Sequence, residues 1–188
     1  MPSIDYNFLL KLKDSFSNYP CFIETGTHVG GTIFAVEPHF DYLYTIEFSE
    51  KYYTKTKSTY TRDKIQFIHG DSSIVFTTLL PTIQEKTIFF LDGHWSSGDT
   101  GKSEKDCPLI EEVTHIHELF SPSAILIIDD YRLFGKGPSS TQGEDWSDIT
   151  EEKITDILGS RITDLYFMDS YKCKKDRLII HICDRDAT

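Results

Sequence analysis

Residues 22–32, FIETGTHVGGT, describe an apolar strand that ends in an acid and opens through glycines into a helix. Glycine at such a turn lets the backbone bend sharply and approach a ligand closely. Gly26 and Gly30 are spaced G-x-x-x-G, whereas a dinucleotide fingerprint requires G-x-G-x-x-G and a P-loop requires a terminal Gly-Lys-Ser/Thr. The spacing therefore disfavours a pyrophosphate site. By itself it does not distinguish a ligand-binding loop from an ordinary turn between strand and helix.

On both sides of this turn, short apolar runs alternate with longer amphipathic stretches, which is the pattern of a sheet covered by helices on both faces. The polar turn 169–176 joins the last two strands as a hairpin, so one strand is expected to run antiparallel. The sequence therefore predicts an α/β fold whose seven-stranded sheet is mostly parallel. The predicted strands are 21–24, 42–47, 65–69, 87–92, 123–129, 162–168 and 177–183, and the predicted helices are 30–38, 49–61, 72–80, 108–120 and 150–158.

The N-terminal segment 1–20 is predicted to contribute one more helix that docks on the domain. Its apolar residues recur at spacings of three and four between positions 4 and 16, which places them on a single helical stripe. This stripe consists of Ile4, Phe8, Leu9, Leu12 and Phe16.

Length and charge limit the classes of function. The 188 residues, 39% apolar, suffice for one core but not for two ordinary domains, so residues 1–188 are predicted to form a single domain. The formal net charge of −11 disfavours nucleic acid and anionic membranes as partners. The apolar runs are shorter than the roughly 20 residues that span a bilayer, and no signal-peptide pattern is visible. We therefore expect a cytoplasmic protein without membrane insertion.

Two acids beyond the glycine turn strengthen the case for a ligand site. Glu47 ends the second predicted strand, where a carboxylate can accept hydrogen bonds from both hydroxyls of a ribose. Asp71 ends the third, within Gly70-Asp71-Ser72, and is placed to accept a hydrogen bond from an adenine amino group. Each acid taken alone would also suit the cap of a helix.

Taken in order, the glycine turn, these acids and the terminal hairpin resemble the class I S-adenosylmethionine-dependent methyltransferases over residues 22–183. The resemblance implies a Rossmann-like sandwich and S-adenosyl-L-methionine as the cofactor. Glu24, Gly26 and Gly30 would lie near the methionine part of the cofactor, Glu47 at the ribose and Asp71 at the adenine. The full set of residues predicted to bind the cofactor is Glu24, Thr25, Gly26, Thr27, Gly30, Glu47, Asp71, Ser72 and Asp92.

Acids also end the fourth and fifth predicted strands, as Asp92 and as Asp129-Asp130. Neighbouring strands would bring these carboxylates together at one edge of the sheet, where they repel one another unless a cation lies among them. Oxygen ligands favour Mg²⁺, or else Mn²⁺ or Ca²⁺. The aspartates would also suit the caps of loops, and the nearby His94 a position in the core.

Asp92-Gly93-His94 and Asp129-Asp130 resemble the metal-dependent sugar O-methyltransferases of the macrocin O-methyltransferase type. The resemblance implies that Asp92, Asp129 and Asp130 hold a divalent ion against two hydroxyls of the substrate. Because imidazole is close to neutral at working pH, His94 is predicted to be the general base, with Asp92 as the second catalytic residue. The reaction implied is transfer of a methyl group to a sugar hydroxyl of a glycan or glycoside, for example on a deoxysugar such as rhamnose.

Selection of the acceptor is assigned to two polar loops, 96–106 and 132–148, which follow strand ends. Trp95, Tyr131 and Trp146 lie in or beside these loops, and flat aromatic faces suit the apolar side of a sugar or phenolic ring. Each of the three is equally compatible with the core.

Alternatives remain open at this point. A catechol-type O-methyltransferase shares the chemistry of metal and base but takes adjacent phenolic hydroxyls. A non-catalytic module would keep the cofactor pocket without turnover. An NAD-dependent sugar oxidoreductase is weakened by the missing second glycine of the fingerprint. The sequence also leaves open a homodimer, or a role as one module of a larger glycan-building polypeptide.

Overall fold

The structure, a computed structural model, describes residues 2–94, 107–141 and 143–185. Within these ranges seven strands form one sheet: β1 (Cys21–Thr25), β2 (Tyr42–Glu47), β3 (Ile65–His69), β4 (Thr87–Leu91), β5 (Ala124–Ile128), β6 (Ile162–Met168) and β7 (Arg177–Ile182). Their order across the sheet is β3-β2-β1-β4-β5-β7-β6. Strands β1 to β5 are parallel to one another, whereas β7 runs antiparallel to β5 and β6. The predicted mostly parallel sheet with an antiparallel C-terminal hairpin is confirmed.

Helices cover both faces of this sheet. Apolar residues of α4, α5 and α6 belong to the core on one face, and those of α1 and α2 to the core on the other. The described α-helices are α1 (Tyr6–Leu9), α2 (Gly31–Val36), α3 (Glu50–Thr59), α4 (Ser72–Leu79), α5 (Leu109–Leu119) and α6 (Glu151–Leu158). None of the described helices combines the length and the apolar character needed to cross a bilayer.

The central strands owe their composition to these two cores. All residues of β1, β4, β5 and β7 are buried, as expected for strands that are covered on both faces. Along β1, Cys21 and Ile23 point to the core under α4 to α6, and Phe22 points to the other core. Each buried aliphatic or aromatic side chain of this kind contributes about 1.5–3 kcal/mol, so the β-branched runs that predicted these strands also stabilise them.

The N-terminal helix is much shorter than predicted. The predicted helix covered residues 4–16, but α1 ends at Leu9. Beyond it, the backbone N–H of Lys13 donates to the hydroxyl of Tyr166 (3.1 Å), and the Lys13 ammonium forms an ion pair with Asp164 (2.8 Å). At Lys13, contacts with β6 thus replace a helical hydrogen bond. Most of the predicted apolar stripe is nevertheless buried, as Ile4, Phe8, Leu9 and Leu12.

Candidate functional site

A cavity of about 320 Å³ lies where the carboxyl ends of β1 to β5 meet the turn between β6 and β7. The antiparallel course of β7 is what brings this turn to the same edge of the sheet. We call its two sides the glycine end, formed by Gly26, Glu47, Gly70 and Ser72, and the aspartate end, formed by Asp92, His94, Asp129, Asp130 and Lys172.

Gly26 holds three strand ends together at the glycine end. Its N–H donates to the carbonyl of Ile46 at 2.9 Å, and its φ of +85° lies in the region that favours glycine. A Cβ at this position would lie 2.4 Å from the carbonyl oxygen of Asp92. Gly30, also predicted to contact the cofactor, does not line the cavity. A Cβ there would meet the ring of Phe34 at 2.5 Å, so helix packing explains this glycine.

Glu47 is held rigidly by backbone groups. Its Oε2 accepts a hydrogen bond from the N–H of His28 at 2.7 Å, and its Oε1 accepts one from the N–H of Ser49 at 2.8 Å. The ring of His28 packs against Tyr52, with centroids 4.3 Å apart, and both side chains line the cavity. Phe48 lines it as well. Tyr52 and Phe48 were not predicted, although Phe48 adjoins Glu47 in the sequence.

Glu24, Thr25 and Thr27 are buried beneath the glycine turn and do not line the cavity, and their predicted contact with the cofactor stays a prediction. Glu24 Oε2 accepts a hydrogen bond from the hydroxyl of Thr45 at 2.7 Å, and the Thr45 and Thr27 hydroxyls lie 2.5 Å apart. Burial raises the pKa of Glu24 to about 8. These residues therefore support the turn from inside the protein.

Asp71 and Ser72 begin α4 and face different partners. Asp71 Oδ1 accepts hydrogen bonds from the backbone N–H of Ser73 at 3.0 Å and from its hydroxyl at 2.6 Å, so Asp71 caps the helix. Its predicted contact with adenine stays a prediction. Ser72 lines the cavity and donates a hydrogen bond at 2.5 Å to Oε1 of Glu112, a buried acid on α5. Burial raises the pKa of Glu112 to about 7.

His94 lies between two carboxylates at the aspartate end. Its Nδ1 is 3.5 Å from Oδ1 of Asp92, and its Nε2 is 3.3 Å from Oδ2 of Asp130. Burial lowers the pKa of His94, although Asp130 and other acids oppose the shift. Burial, together with Asp129 and Asp130, raises the pKa of Asp92 well above its usual range. His94 therefore favours the neutral imidazole, which can accept a proton.

Cationic side chains of the protein itself compensate the remaining acids. Asp129 Oδ1 lies 3.3 Å from Nε of Arg177. Asp130 Oδ1 contacts Arg132 and lies 3.2 Å from Nζ of Lys172. Although burial opposes it, the hydrogen bond from Arg132 holds the pKa of Asp130 below its usual value. The expected repulsion among these carboxylates is thus relieved partly by Arg132, Lys172 and Arg177.

The three predicted metal ligands do not converge as one group. Within the described ranges, potential ligand atoms that all lie within 4.8 Å of one another occur in Asp92, His94 and Asp130. A second such group is Asp129, Asp130 and Asp176. The predicted set of Asp92, Asp129 and Asp130 is therefore divided between two clusters that share Asp130.

Two of the aromatic residues predicted to contact the acceptor, Tyr131 and Trp146, are not on the cavity wall. Trp146 is buried, with its ring centroid 5.1 Å from that of His94, and its Nε1 donates to Glu144. Tyr131 packs against Phe167 and donates its hydroxyl to Glu151. Trp95 and the loop 96–106 lie outside the described residues. Trp146 instead supports His94 from behind.

The hairpin turn supplies lining residues that were not predicted. Tyr171 and Lys172 both face the cavity, and the side chain of Tyr171 is 74% exposed. Ser3 of the N-terminal segment also lines it, and the carbonyl of Ser3 accepts a hydrogen bond at 2.6 Å from Arg177. The polar composition of the turn indicated only a solvated loop.

No protein-family model and no curated protein matches the sequence. Solved structures match it in fold. The chain is similar to the O-methyltransferase TomG from Streptomyces achromogenes, which is in complex with SAM, at 15% identity and a TM-score of 0.62 over 90% of this chain and 75% of that chain. It is similar to an O-methyltransferase from Bacillus cereus in complex with SAH, at 14% identity and a TM-score of 0.62 over 90% and 76% of the two chains.

The N-methyltransferase NodS from Bradyrhizobium japonicum WM9 is also similar, at 12% identity and a TM-score of 0.60 over 95% of this chain and 93% of that chain. These likenesses show that the chain has the Rossmann-like fold of class I methyltransferases. Because the named neighbours include both O- and N-methyltransferases, the fold alone does not specify the acceptor atom.

Proposed function

We propose that this protein is an S-adenosylmethionine-dependent O-methyltransferase that acts on a sugar hydroxyl of a glycan or glycoside. One observation carries the proposal: the same cavity joins the glycine end to the aspartate end. A methyl donor held at the first would therefore face an ionisable base at the second. The class I methyltransferase fold, shared with neighbours in complex with SAM or SAH, supports the same conclusion.

The glycine end suits an adenosyl compound. Gly26 lines it without a side chain, Glu47 offers carboxylate oxygens to ribose hydroxyls, and Phe48 offers an aromatic face beside them. When bound, S-adenosylmethionine would supply an activated methyl group on a positively charged sulfonium. The acids of the cavity wall, Glu47 and Asp92 among them, complement such a charge.

His94 is the group that we assign to accept the proton of the acceptor hydroxyl. It lines the cavity, and its lowered pKa keeps the imidazole unprotonated near neutral pH, so that a ring nitrogen can accept a proton. Asp92 and Asp130, at 3.5 and 3.3 Å from its two ring nitrogens, would stabilise the imidazolium that forms. Trp146 packs on the ring and keeps it in place.

A divalent ion fits the same end of the cavity, because ligand atoms of Asp92, His94 and Asp130 lie within 4.8 Å of one another. Since Mg²⁺, Mn²⁺ and Ca²⁺ prefer oxygen ligands, we assign the two carboxylates to the ion and the imidazole to the proton. Bound there, the ion would act as a Lewis acid that lowers the pKa of a hydroxyl. Asp129, paired with Arg177, accepts the N–H of Asp130 at 3.0 Å and so orients that residue.

Hydrogen-bonding capacity and an exposed aromatic ring support a sugar as the acceptor. A sugar presents neighbouring hydroxyls that donate hydrogen bonds, and the carboxylate oxygens at the aspartate end can accept them. Tyr171 lines the cavity and presents an exposed ring of the kind that packs on the apolar face of a sugar. The resemblance to macrocin-type enzymes favours the same acceptor class.

Calorimetry and methyl transfer test the two ends separately. We expect S-adenosylhomocysteine to bind in excess EDTA, because its contacts lie at the glycine end. Methylation of sugars in an acceptor panel should require Mg²⁺ and be lost on chelation. Asp92→Asn should abolish turnover with little change in affinity for S-adenosylhomocysteine. The matched control Asp156→Asn, which changes an exposed residue of α6 off the cavity wall, should preserve both.

The cofactor, the ion, the acceptor class and the catalytic activity can each be refuted by a different result. Absence of S-adenosylhomocysteine binding would overturn the cofactor, and full activity in excess EDTA would remove the ion. Turnover of catechols without sugars would replace the acceptor class. Cofactor binding without a product from any acceptor would identify a binding module.

A further inference from the structure

We propose that Glu112 is a positioning residue that makes the hydroxyl of Ser72 a hydrogen-bond acceptor toward the cavity. Through this acceptor the site distinguishes an adenosyl ligand from one that lacks the amino group of adenine. This inference rests on the proposed function, because it concerns S-adenosyl compounds. Glu112 lies on α5, outside the cavity wall, and no motif in the sequence singled it out.

The geometry of Ser72 determines what it can offer to a ligand. A serine hydroxyl has one proton to donate and two lone pairs with which to accept. Ser72 donates its proton to Oε1 of Glu112 at 2.5 Å, while the residue lines the cavity. Toward the cavity its oxygen is therefore left as an acceptor. The ligand group that meets it must be a donor, such as the amino group of adenine.

Glu112 is well fixed for this task. Its side chain is almost completely buried, at 1% exposed, and α4 packs directly on α5. Burial raises the pKa of Glu112 to about 7, so above that pH the carboxylate is ionised and can only accept a hydrogen bond. Asp71, the neighbouring acid, uses Oδ1 to cap α4 through Ser73 and does not line the cavity, whereas Ser72 does. Ser72 is therefore the better candidate for this acceptor.

Glu112 also lies close to the loop that follows β4. A Cβ added at Gly93 would lie 3.3 Å from Oε1 of Glu112 and 3.0 Å from Oγ1 of Thr25. Gly93 lines the cavity between Asp92 and His94. Glu112 thus lies behind both Ser72 and Gly93.

Ligand preference tests this role more directly than stability does. The probes are S-adenosylhomocysteine and S-inosylhomocysteine, in which a carbonyl oxygen replaces the amino group. Their dissociation constants are measured by calorimetry in EDTA at about pH 8.5. At this pH, which is above its pKa, Glu112 is ionised. We expect the wild-type protein to prefer the adenosyl ligand by about tenfold, the effect of one hydrogen bond and one acceptor–acceptor repulsion.

Ser72→Ala, Glu112→Met and the double variant should all show the same reduced preference, because one interaction is lost in each case. Without Glu112, the hydroxyl of Ser72 is free to rotate and donate to the inosyl carbonyl. Glu118→Gln, an exposed acid on the same helix, serves as the control and should keep the wild-type preference.

An unchanged preference in Glu112→Met, or equal loss of affinity for both ligands, would overturn the role of Glu112 while leaving the cofactor assignment intact. Failure of the wild-type protein to bind S-adenosylhomocysteine would instead refute the proposed function. If Glu112→Met does not fold, Ser72→Ala decides, since a preference that survives this substitution contradicts the proposal.

Discussion

The glycine end and the aspartate end both bury acids, but the partners of these acids differ in kind. At the glycine end, Glu47 accepts hydrogen bonds from two backbone N–H groups and Glu24 from a threonine hydroxyl. At the aspartate end, Asp129 and Asp130 are paired with charged side chains, those of Arg177, Arg132 and Lys172.

This difference indicates how each end would receive a ligand. The backbone N–H groups of His28 and Ser49 that hold Glu47 have no side-chain rotamer freedom, so the glycine end is preorganised and its cost of binding is small. Long cationic side chains have rotamer freedom, so a ligand or an ion can take over their contacts with the carboxylates. The glycine end should therefore govern affinity for the donor, and the aspartate end should govern turnover.

The largest effect on turnover without an effect on donor affinity is expected from a substitution of His94. In His94→Ala, turnover should fall by about 10²–10⁴-fold, because the proposed proton acceptor is lost. The affinity for S-adenosylhomocysteine should change by less than about twofold, since no bond at the glycine end is touched. Single-turnover kinetics and calorimetry on the same preparation measure both quantities.

A suitable control for His94→Ala is His39→Ala, whose ring packs on Tyr6 and does not line the cavity. It should retain turnover and affinity. If His94→Ala weakened binding of S-adenosylhomocysteine as strongly as it slowed turnover, the two ends would not be separable and the comparison would fail.

The sequence was sufficient for the fold because its strongest signals are local. β2 and β3 have the predicted bounds, since each is a short apolar run closed by polar turn residues. The N-terminal helix was overpredicted because periodicity does not reveal that Tyr166, more than 150 positions away, takes the hydrogen bond of Lys13. Burial of the apolar stripe was predicted correctly, but its backbone conformation was not.

The candidate site was likewise predictable from the sequence only in part. Acids at the ends of parallel strands could be placed together from the sequence, because parallel strands end at one edge of the sheet. Tyr171, Lys172 and Arg177 could not, since their position depends on the register of β7 against β5 and β6. Glu112 was also missed, because one acid on an amphipathic helix carries no sign that it is buried.

An intermediate effect, on the stability of the protein, is expected from a substitution of Glu24, whose only hydrogen-bond partner named above is a hydroxyl. The pKa of this carboxyl is raised from 4.5 to about 8 by burial, so the unfolded chain ionises first as the pH rises. The contribution of Glu24 to folding therefore becomes less favourable between these two values. Glu24→Gln keeps an acceptor for Thr45 and removes this penalty, which should stabilise the protein by about 3 kcal/mol near pH 7.

Urea unfolding of Glu24→Gln and of the wild-type protein at several pH values measures this difference. The gain in the free energy of unfolding should be small near pH 4.5, increase up to about pH 8 and remain constant above it. Glu152→Gln, an exposed position on α6, should show no such trend. A gain that does not depend on pH would mean that Glu24 is ionised in the folded protein and needs a stronger partner than a hydroxyl.

The smallest of these effects is expected at Glu47. Glu47→Gln keeps one carbonyl oxygen for a backbone donor but turns its amide N–H groups toward the other, so either His28 or Ser49 loses its partner. The amide also lacks the negative charge and the second acceptor oxygen that Glu47 would offer to the ribose hydroxyls, so binding of S-adenosylhomocysteine should weaken by about tenfold. Turnover at saturating S-adenosylmethionine should stay within about twofold, because His94 and its two carboxylates are unchanged.

Glu50→Gln, at the exposed start of α3, is the matched control for Glu47→Gln and should alter neither quantity. The informative result is the ratio between the loss of affinity for S-adenosylhomocysteine and the loss of turnover in Glu47→Gln. A fall in turnover at saturating cofactor as large as the loss of affinity would show that Glu47 sets the position of the donor relative to His94. The preorganised end would then contribute to the chemical step as well as to binding.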